Sequence, residues 1–330
     1  MKANLSTKQM ISSLIAIIVV ISVIGYWWYE EKYVSTNDAY VNANVVQIAP
    51  RITGQVSQLN VVNNQHVKMG QLLFVIDPTP FQVALDKAHA ELQETYQVVA
   101  ENEAAVSASE AGVLVQKTAL NHAQVTAARI LSLVKQNVLP AQSGDDATAS
   151  LKSAEADYVL AKAQLQQAQF ALATAQTKVK VVKAAVAQAE LDLQYTRVVA
   201  PSSGQIANLS MREGDVISLG QPLFALINDS EYWVDANYKE SDLAAIKLGQ
   251  KADVVVDVYS HHHFSGVVES ISGGAGVAFS LLPPENATGN WVKVTQRVPV
   301  RILIQNPDKN YPLQIGTSAT VIIDTTQAVN

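Results

Sequence analysis

Two stretches of this chain repeat one another at a fixed offset of 150 residues, and that offset dictates the architecture. Residues 49–74 read APRITGQVSQLNVVNNQHVKMGQLLF, and residues 200–224 read APSSGQIANLSMREGDVISLGQPLF. The matches are Gly54/Gly204, Gln55/Gln205, Val56/Ile206, Val67/Ile217, Gly70/Gly220, Gln71/Gln221, Leu73/Leu223 and Phe74/Phe224. In both copies the two glycines stand 16 positions apart, and only the leading Ala-Pro pair slips by one residue. Each copy reads as short strands around turns at Gly54, Gly70, Gly204 and Gly220, with a closing strand at 72–76 and 223–227. Two β halves that each expose half a core are more stable together than apart. They are therefore expected to clasp each other and to push everything between them outward.

The intervening sequence is helical by pattern. Thr79 is placed to cap a first helix and Pro80 suits its first turn. From Phe81 to about Gln136 there is no Pro and only Gly112 interrupts. Asn137 to Gly144 then reads as a break, and Asp145 or Asp146 as the cap of a second helix that runs to about Thr196. The second helix carries a seam of Leu151, Ala154, Tyr158, Ala161, Leu165, Ala168, Leu172, Ala175, Val179, Val182, Val186, Ala189 and Leu193, at alternating spacings of three and four. The first answers with Leu85, Leu92, Val99, Val106, Val113, Leu120, Ala127 and Val134. Its second row is mixed: Phe81, Ala88, Thr95, Asn102, Ser109, Gln116, Ala123 and Ile130. A sustained heptad is the signature of a left-handed coiled coil, in which polar seam residues cost stability and can fix register. The remaining faces are rich in Ala, Gln, Ser and Thr rather than charge, which predicts that neighbouring copies pack on them.

Residues 10–29, MISSLIAIIVVISVIGYWWY, carry no charge. At 1.5 Å per residue they span about 30 Å, the hydrocarbon thickness of a bilayer. Tyr26, Trp27, Trp28 and Tyr29 form an aromatic belt at the outer boundary. Lys2 and Lys8 precede the stretch, so the N-terminus is expected inside and the bulk of the chain outside the cytoplasm. Bulky aromatics stand where a signal peptidase needs small residues, which favours an uncleaved anchor.

Composition closes other routes. There is no cysteine, so disulfides, thiolate metal sites and Cys nucleophiles are excluded. Lys plus Arg number 23 against 29 acids, a net charge of −6, which offers no field for a nucleic-acid backbone. The His261-His262-His263 tract resembles a metal sequence, but three adjacent side chains diverge and no acid is near in sequence, so it reads as a solvated barrel loop. The Gly273–Gly276 run lacks the Lys-Ser/Thr and following helix of a phosphate loop. Asn286-Ala287-Thr288 fits a glycosylation sequon, of a kind that arises by chance, and no nucleophile-elbow motif is present.

The repeated halves resemble those of a biotinyl/lipoyl domain, with the lysine-bearing tip replaced by the helical insertion, so the fold is expected without the cofactor. The stretch LQYTRVVAPSSG at 193–204 resembles the membrane fusion (periplasmic adaptor) proteins of Gram-negative efflux pumps and type I secretion systems. Residues 232–240 (YWVDANYKE), 276–302 (GVAFSLLPPENATGNWVKVTQRVPVRI) and 311–316 (YPLQIG) resemble the β-barrel of the HlyD/EmrA family, and within it the EmrA-type multidrug export adaptors.

The resemblance implies an elongated chain of mixed α and β class. Residues 1–30 would be tail and anchor, 40–78 the first lipoyl half, 79–196 the coiled-coil hairpin, 197–229 the second lipoyl half and 230–326 a β-barrel. It implies a non-enzymatic adaptor with no cofactor and no metal, held in the bacterial inner membrane with its bulk in the periplasm. The implied partners are an inner-membrane major facilitator transporter, a TolC-like outer-membrane channel and further copies of the chain, three to six in a ring. The alternative is an adaptor of an ABC-driven type I protein-secretion system. Related adaptors meet their channel through an Arg, a Leu four residues on and a Ser at the hairpin tip. Arg129 and Leu133 match the first two; the Ser position falls on Pro140, and Ser143 lies close by.

Overall fold

The computed structural model describes residues 17–21, 32–275, 295–308 and 310–326. In chain order these residues form β1 (Tyr33–Ile48), β2 (Gly54–Leu59), β3 (His66–Val67), β4 (Leu72–Ile76), α1 (Thr79–Lys135) and α2 (Ala141–Tyr195). There follow β5 (Arg197–Val199), β6 (Gly204–Ala207), β7 (Val216–Ile217), β8 (Phe224–Lys239), β9 (Lys251–Val256), β10 (Phe264–Ile271), β11 (Arg297–Ile304) and β12 (Ser318–Asp324).

The two repeats pair crosswise. Gly54 of β2 faces Ile217 of β7, and Gly204 of β6 faces Val67 of β3. The backbone bonds obey the 150-residue offset. The Val56 N–H donates to the Asp215 carbonyl at 2.9 Å and the Ile206 N–H to that of Gln65 at 3.0 Å. The Gly70 N–H reaches Ala200 O at 2.8 Å and the Gly220 N–H reaches Pro50 O at 2.9 Å. Side chains follow the same rule: Gln55 Nε2 donates to Gly214 O at 3.0 Å, and Gln205 Nε2 to Asn64 O at 2.9 Å. Matched positions share one core, with Val56, Val67, Leu73 and Phe74 packed among Ile206, Ile217, Leu223 and Phe224. Each such side chain contributes about 1.5–3 kcal/mol by leaving water.

Gly70 and Gly220 sit at turns with φ of +80° and +74°, a region open to glycine. Gly54 and Gly204 correct the sequence reading. They open strands β2 and β6 and do not form turns. Their small size answers to crowding: a Cβ on Gly54 would lie 2.5 Å from Ile76 Cγ2, and one on Gly204 2.1 Å from the Ile227 carbonyl oxygen.

A second core lies in a closed barrel whose strands run β1-β12-β9-β10-β11-β8 and back to β1. Burial alternates with period two along β9, β11 and β12, as a sheet with one wet face requires. Val41, Val234, Tyr238, Val254, Phe264, Val300, Ile302 and Val321 fill the interior. The Tyr238 hydroxyl donates to Val321 O at 3.3 Å, and burial pushes its pKa upward. The sequence reading drew the barrel from residues after 230 and missed β1, whose first half pairs with β12 and β8. Both β1 and β8 are 16 residues long and pass from one core to the other as a paired ribbon. At the crossing the register slips: Ala43 faces Tyr232, but Val45 faces Ile227. The four residues 228–231 therefore bulge opposite Asn44.

The helices α1 and α2, of 57 and 55 residues, pack antiparallel as a hairpin. At 1.5 Å per residue each is about 80–85 Å long. Every residue of the heptad rows read from the sequence is buried or half-buried, and most positions between them are exposed. The polar seam residues satisfy themselves within their own helix. Thr95 Oγ1 donates to Glu91 O at 2.8 Å, Asn102 Nδ2 to Val98 O at 2.7 Å and Ser109 Oγ to Ala105 O at 2.9 Å. No bond from these three crosses to α2, so the apolar rows set the register.

Two helix starts differ from expectation. Thr79 is the first helical residue rather than a cap. The carboxylate of Asp77 accepts its N–H at 3.0 Å. Hydrogen bonds from Thr79, backbone first and side chain second, hold the Asp77 carboxyl below its ordinary pKa. α2 begins at Ala141, so Ser143 and Gly144 lie inside it and Asp145 and Asp146 are not its caps. Pro140, extended at φ −63° and ψ 150°, supplies the entry instead. Gly144 is buried where the helices meet, its absent Cβ directed at Leu131 and Val134 within 3.5–3.6 Å.

Candidate functional site

The hairpin tip is made by a five-residue link from Gln136 to Pro140. Asn137 takes φ +56°, the left-handed conformation that ends many helices. Its N–H donates to Val134 O at 2.9 Å, and the Val138 N–H to Leu133 O at 3.0 Å. This crossed pair satisfies the last carbonyls of α1 and turns the chain sharply. An asparagine at 137 was the available sequence signal for that stop.

The residues singled out from sequence lie on both arms of this turn. Arg129 and Leu133 are four apart in the last turns of α1 and therefore share a face. Arg129 is exposed, Leu133 half-buried. Among the described residues no carboxylate stands within ion-pair distance of Arg129. Pro140 is exposed at the entry to α2, and Ser143, half-buried in the first turn, donates its N–H to Pro140 O at 3.1 Å. The sequence reading overlooked Leu131 and Val138, which are 45% and 63% exposed beside the turn.

At the other end of the hairpin, the Arg51 guanidinium lies over the Tyr195 ring at 5.2 Å, tying the last residue of α2 to the first repeat. His66 Nε2 meets Asp229 Oδ2 at 2.6 Å, linking β3 to the bulge in β8. Tyr232, next to that bulge, has its pKa raised by burial and by the Asp229 charge.

The histidine tract is divided by its surroundings. His262 stacks on Tyr311 at 3.9 Å and meets the Phe264 edge at 4.6 Å. His263 Nδ1 pairs with Asp253 Oδ2 at 2.6 Å, an acid that faces it from β9 across the strand turn. Among the described residues no group of three or more His, Cys, Asp or Glu side chains is disposed to hold a metal. Gly276 and Asn286 lie outside the described residues, as do Tyr26, Trp27, Trp28 and Tyr29. No helix among the described residues is long and apolar enough to cross a membrane.

Comparison with known proteins agrees with this architecture. Residues 44–229 match the barrel-sandwich hybrid domain of the RND membrane fusion proteins, and residues 231–324 match the AAEA-like β-barrel domain. The multidrug export protein EmrA of Escherichia coli K12 is 35% identical over 315 residues, covering 92% of this chain and 80% of its own. The fatty acid resistance protein FarA of Neisseria gonorrhoeae is 36% identical over 302 residues, covering 89% and 76%. A crystallised MacA chimera carrying the Pseudomonas aeruginosa MexA α-hairpin superposes with a TM-score of 0.52 over 89% of this chain and 82% of its own, at 19% identity, and so shares the fold. With its crosswise β halves, long hairpin and closed barrel, the chain belongs to the membrane fusion proteins, the periplasmic adaptor family that includes the EmrA multidrug export proteins.

Proposed function

We propose that this chain is the adaptor subunit of a tripartite multidrug efflux pump, joining an inner-membrane major facilitator drug/proton antiporter to a TolC-like outer-membrane channel. The observation that carries the reading is the hairpin: two helices of 57 and 55 residues projecting from a domain whose halves they separate, in a chain 35% identical to a multidrug export protein. A rod about 80 Å long has the reach to bridge an aqueous compartment. The family does no covalent chemistry, and the work of this member is geometric. Residues 1–30 anchor it, residues 40–78 and 197–229 form the lipoyl-like base, residues 79–196 form the spike and residues 230–326 the barrel. Arg129, Leu133, Pro140 and Ser143 meet the channel. Several copies surround the export route.

A matched shortening tests the reading. Removing two heptads from each arm, residues 99–112 and 165–178, keeps the seam in phase and shortens the rod by about 21 Å. Cells relying on the shortened chain should lose drug tolerance while its amount in the envelope stays constant. Tolerance equal to that of the full-length chain would overturn the bridging role.

A further inference from the structure

A groove of about 510 Å³ lies at the root of the hairpin, between the strands that lead into the two Ala-Pro pairs of the repeat. That volume falls within the roughly 300–1,000 Å³ of small-molecule sites. One wall is the second half of β1, from Val46 to Ile48, and the other is β5. The walls belong to different sheets. Over residues 45–48 β1 pairs with β8, whereas β5 is the edge of its own sheet and pairs with β4. The last residues of α2, Gln194 and Tyr195, complete the lining.

The lining combines apolar surface with positive charge. Val46 and Val199 are 37% and 47% exposed. Val198 and the half-buried Tyr195 continue that surface. Arg51 and Arg197 both line the groove, and both are exposed. No Asp or Glu lines it. Among the described residues no carboxylate stands within ion-pair distance of either guanidinium. A chain of net charge −6 thus gathers two unpaired positive charges at one concave site. The Tyr195 ring lies beneath Arg51, but no ring lies beneath Arg197 among the described residues. The carbonyl end of α2 carries about half a negative charge, too little to offset two guanidiniums.

We propose that this groove binds an amphipathic organic anion, a carboxylate with an apolar tail. The carboxylate lies between Arg51 and Arg197, and the tail runs along Val46, Val198 and Val199 against Tyr195. Guanidinium is the side chain best matched to a carboxylate, which it can meet with two parallel hydrogen bonds. The valines supply burial that a small inorganic anion could not use. A nucleotide would need backbone N–H groups at a helix N-terminus, and α2 presents its carbonyl end here. A cationic amphiphile would meet like charge. The site is a property of the chain itself and does not rest on the partners proposed above.

The test uses the full-length chain in membrane vesicles and decanoate carrying a diazirine in its tail. After illumination and proteolysis, mass spectrometry should find label concentrated in residues 46–51 and 194–201. Excess plain decanoate should suppress that label, whereas acetate and decyltrimethylammonium should not. The double variant R51Q/R197Q should lower groove labelling by at least about 10-fold, and R51K/R197K should retain part of it. Circular dichroism checks that the variants keep their helix content. The competition uses the unaltered chain, so its outcome does not depend on either variant folding. Label spread without preference for these two segments would overturn the proposal. So would suppression by decyltrimethylammonium equal to that by decanoate, or undiminished labelling of a folded R51Q/R197Q chain. Labelling is read without transport, so loss of drug tolerance in cells whose chain still takes the label counts against the pump reading alone.

Discussion

Phe74 and Phe224 occupy the same position in the two repeats, and their rings meet edge to face with centroids 6.2 Å apart and planes at 70°. Both are almost wholly buried. One ring comes from before the hairpin and one from after it, so this contact locks the base of the spike. Phe74→Ala or Phe224→Ala should each cost about 3–5 kcal/mol. The double variant should cost less than the sum, because each single change already breaks the ring pair. Hydrogen-exchange protection of β4 and β8, measured against the barrel strands as internal control, checks both statements.

Gly54 and Gly204 are equivalent by sequence but not by surroundings. A Cβ at 204 would strike backbone at 2.1 Å, whereas one at 54 would strike a side-chain methyl at 2.5 Å. Gly204→Ala should therefore destabilise by about 3 kcal/mol or more, and Gly54→Ala by roughly 1–3 kcal/mol. Thermal melts of the two variants should rank them in that order.

Asn102 bonds to a carbonyl of its own helix and makes no bond across the seam. Replacing it with Leu should add apolar burial at a half-covered position and stabilise the hairpin by about 1 kcal/mol. A fall in helix melting temperature for Asn102→Leu would show that this side chain specifies register after all.

Asp77 begins α1 by accepting the Thr79 N–H, and its folded pKa lies below the ordinary 3.8. A carboxyl with a depressed folded pKa adds stability above its unfolded pKa and loses it as pH falls through the folded value. Asp77→Ala should therefore lower the helix melting temperature at pH 7 and have little effect near pH 2. An equal effect at both pH values would assign the loss to packing rather than to charge.

Arg129 stands exposed near the tip, and among the described residues no carboxylate lies within ion-pair distance of it. Arg129→Glu should reduce drug tolerance without reducing the amount of the chain in the envelope. Undiminished tolerance would remove this residue from the channel contact.

The hairpin was the most legible part of the sequence. Its signal is periodic, and a row such as Leu151 to Leu193 is read from one element alone. The clasp was legible through the repeat, since Gly54 and Gly204 announce a shared environment even though their roles were misassigned. The barrel was legible only in part. Its closure depends on β1, whose partners lie nearly 200 and 290 residues away, at Ala236 and Ile322. No local pattern reports pairing at that range. At the tip, Arg129 and Leu133 were singled out by resemblance, whereas the exposed Val138 gave no signal because a lone valine after asparagine carries no pattern. His262 was read as solvated because its stacking partner, Tyr311, is brought to it only by barrel closure.

The ribbon of β1 and β8 has a mechanical consequence. Tension entering at Tyr33 travels along the strand axis, so its hydrogen bonds are loaded in shear and must yield together rather than one by one. The bulge at 228–231 is the compliant link in that line, and it is bridged by the contact of His66 with Asp229. A pull from the barrel end would therefore swing the spike about this link before it stretched either core.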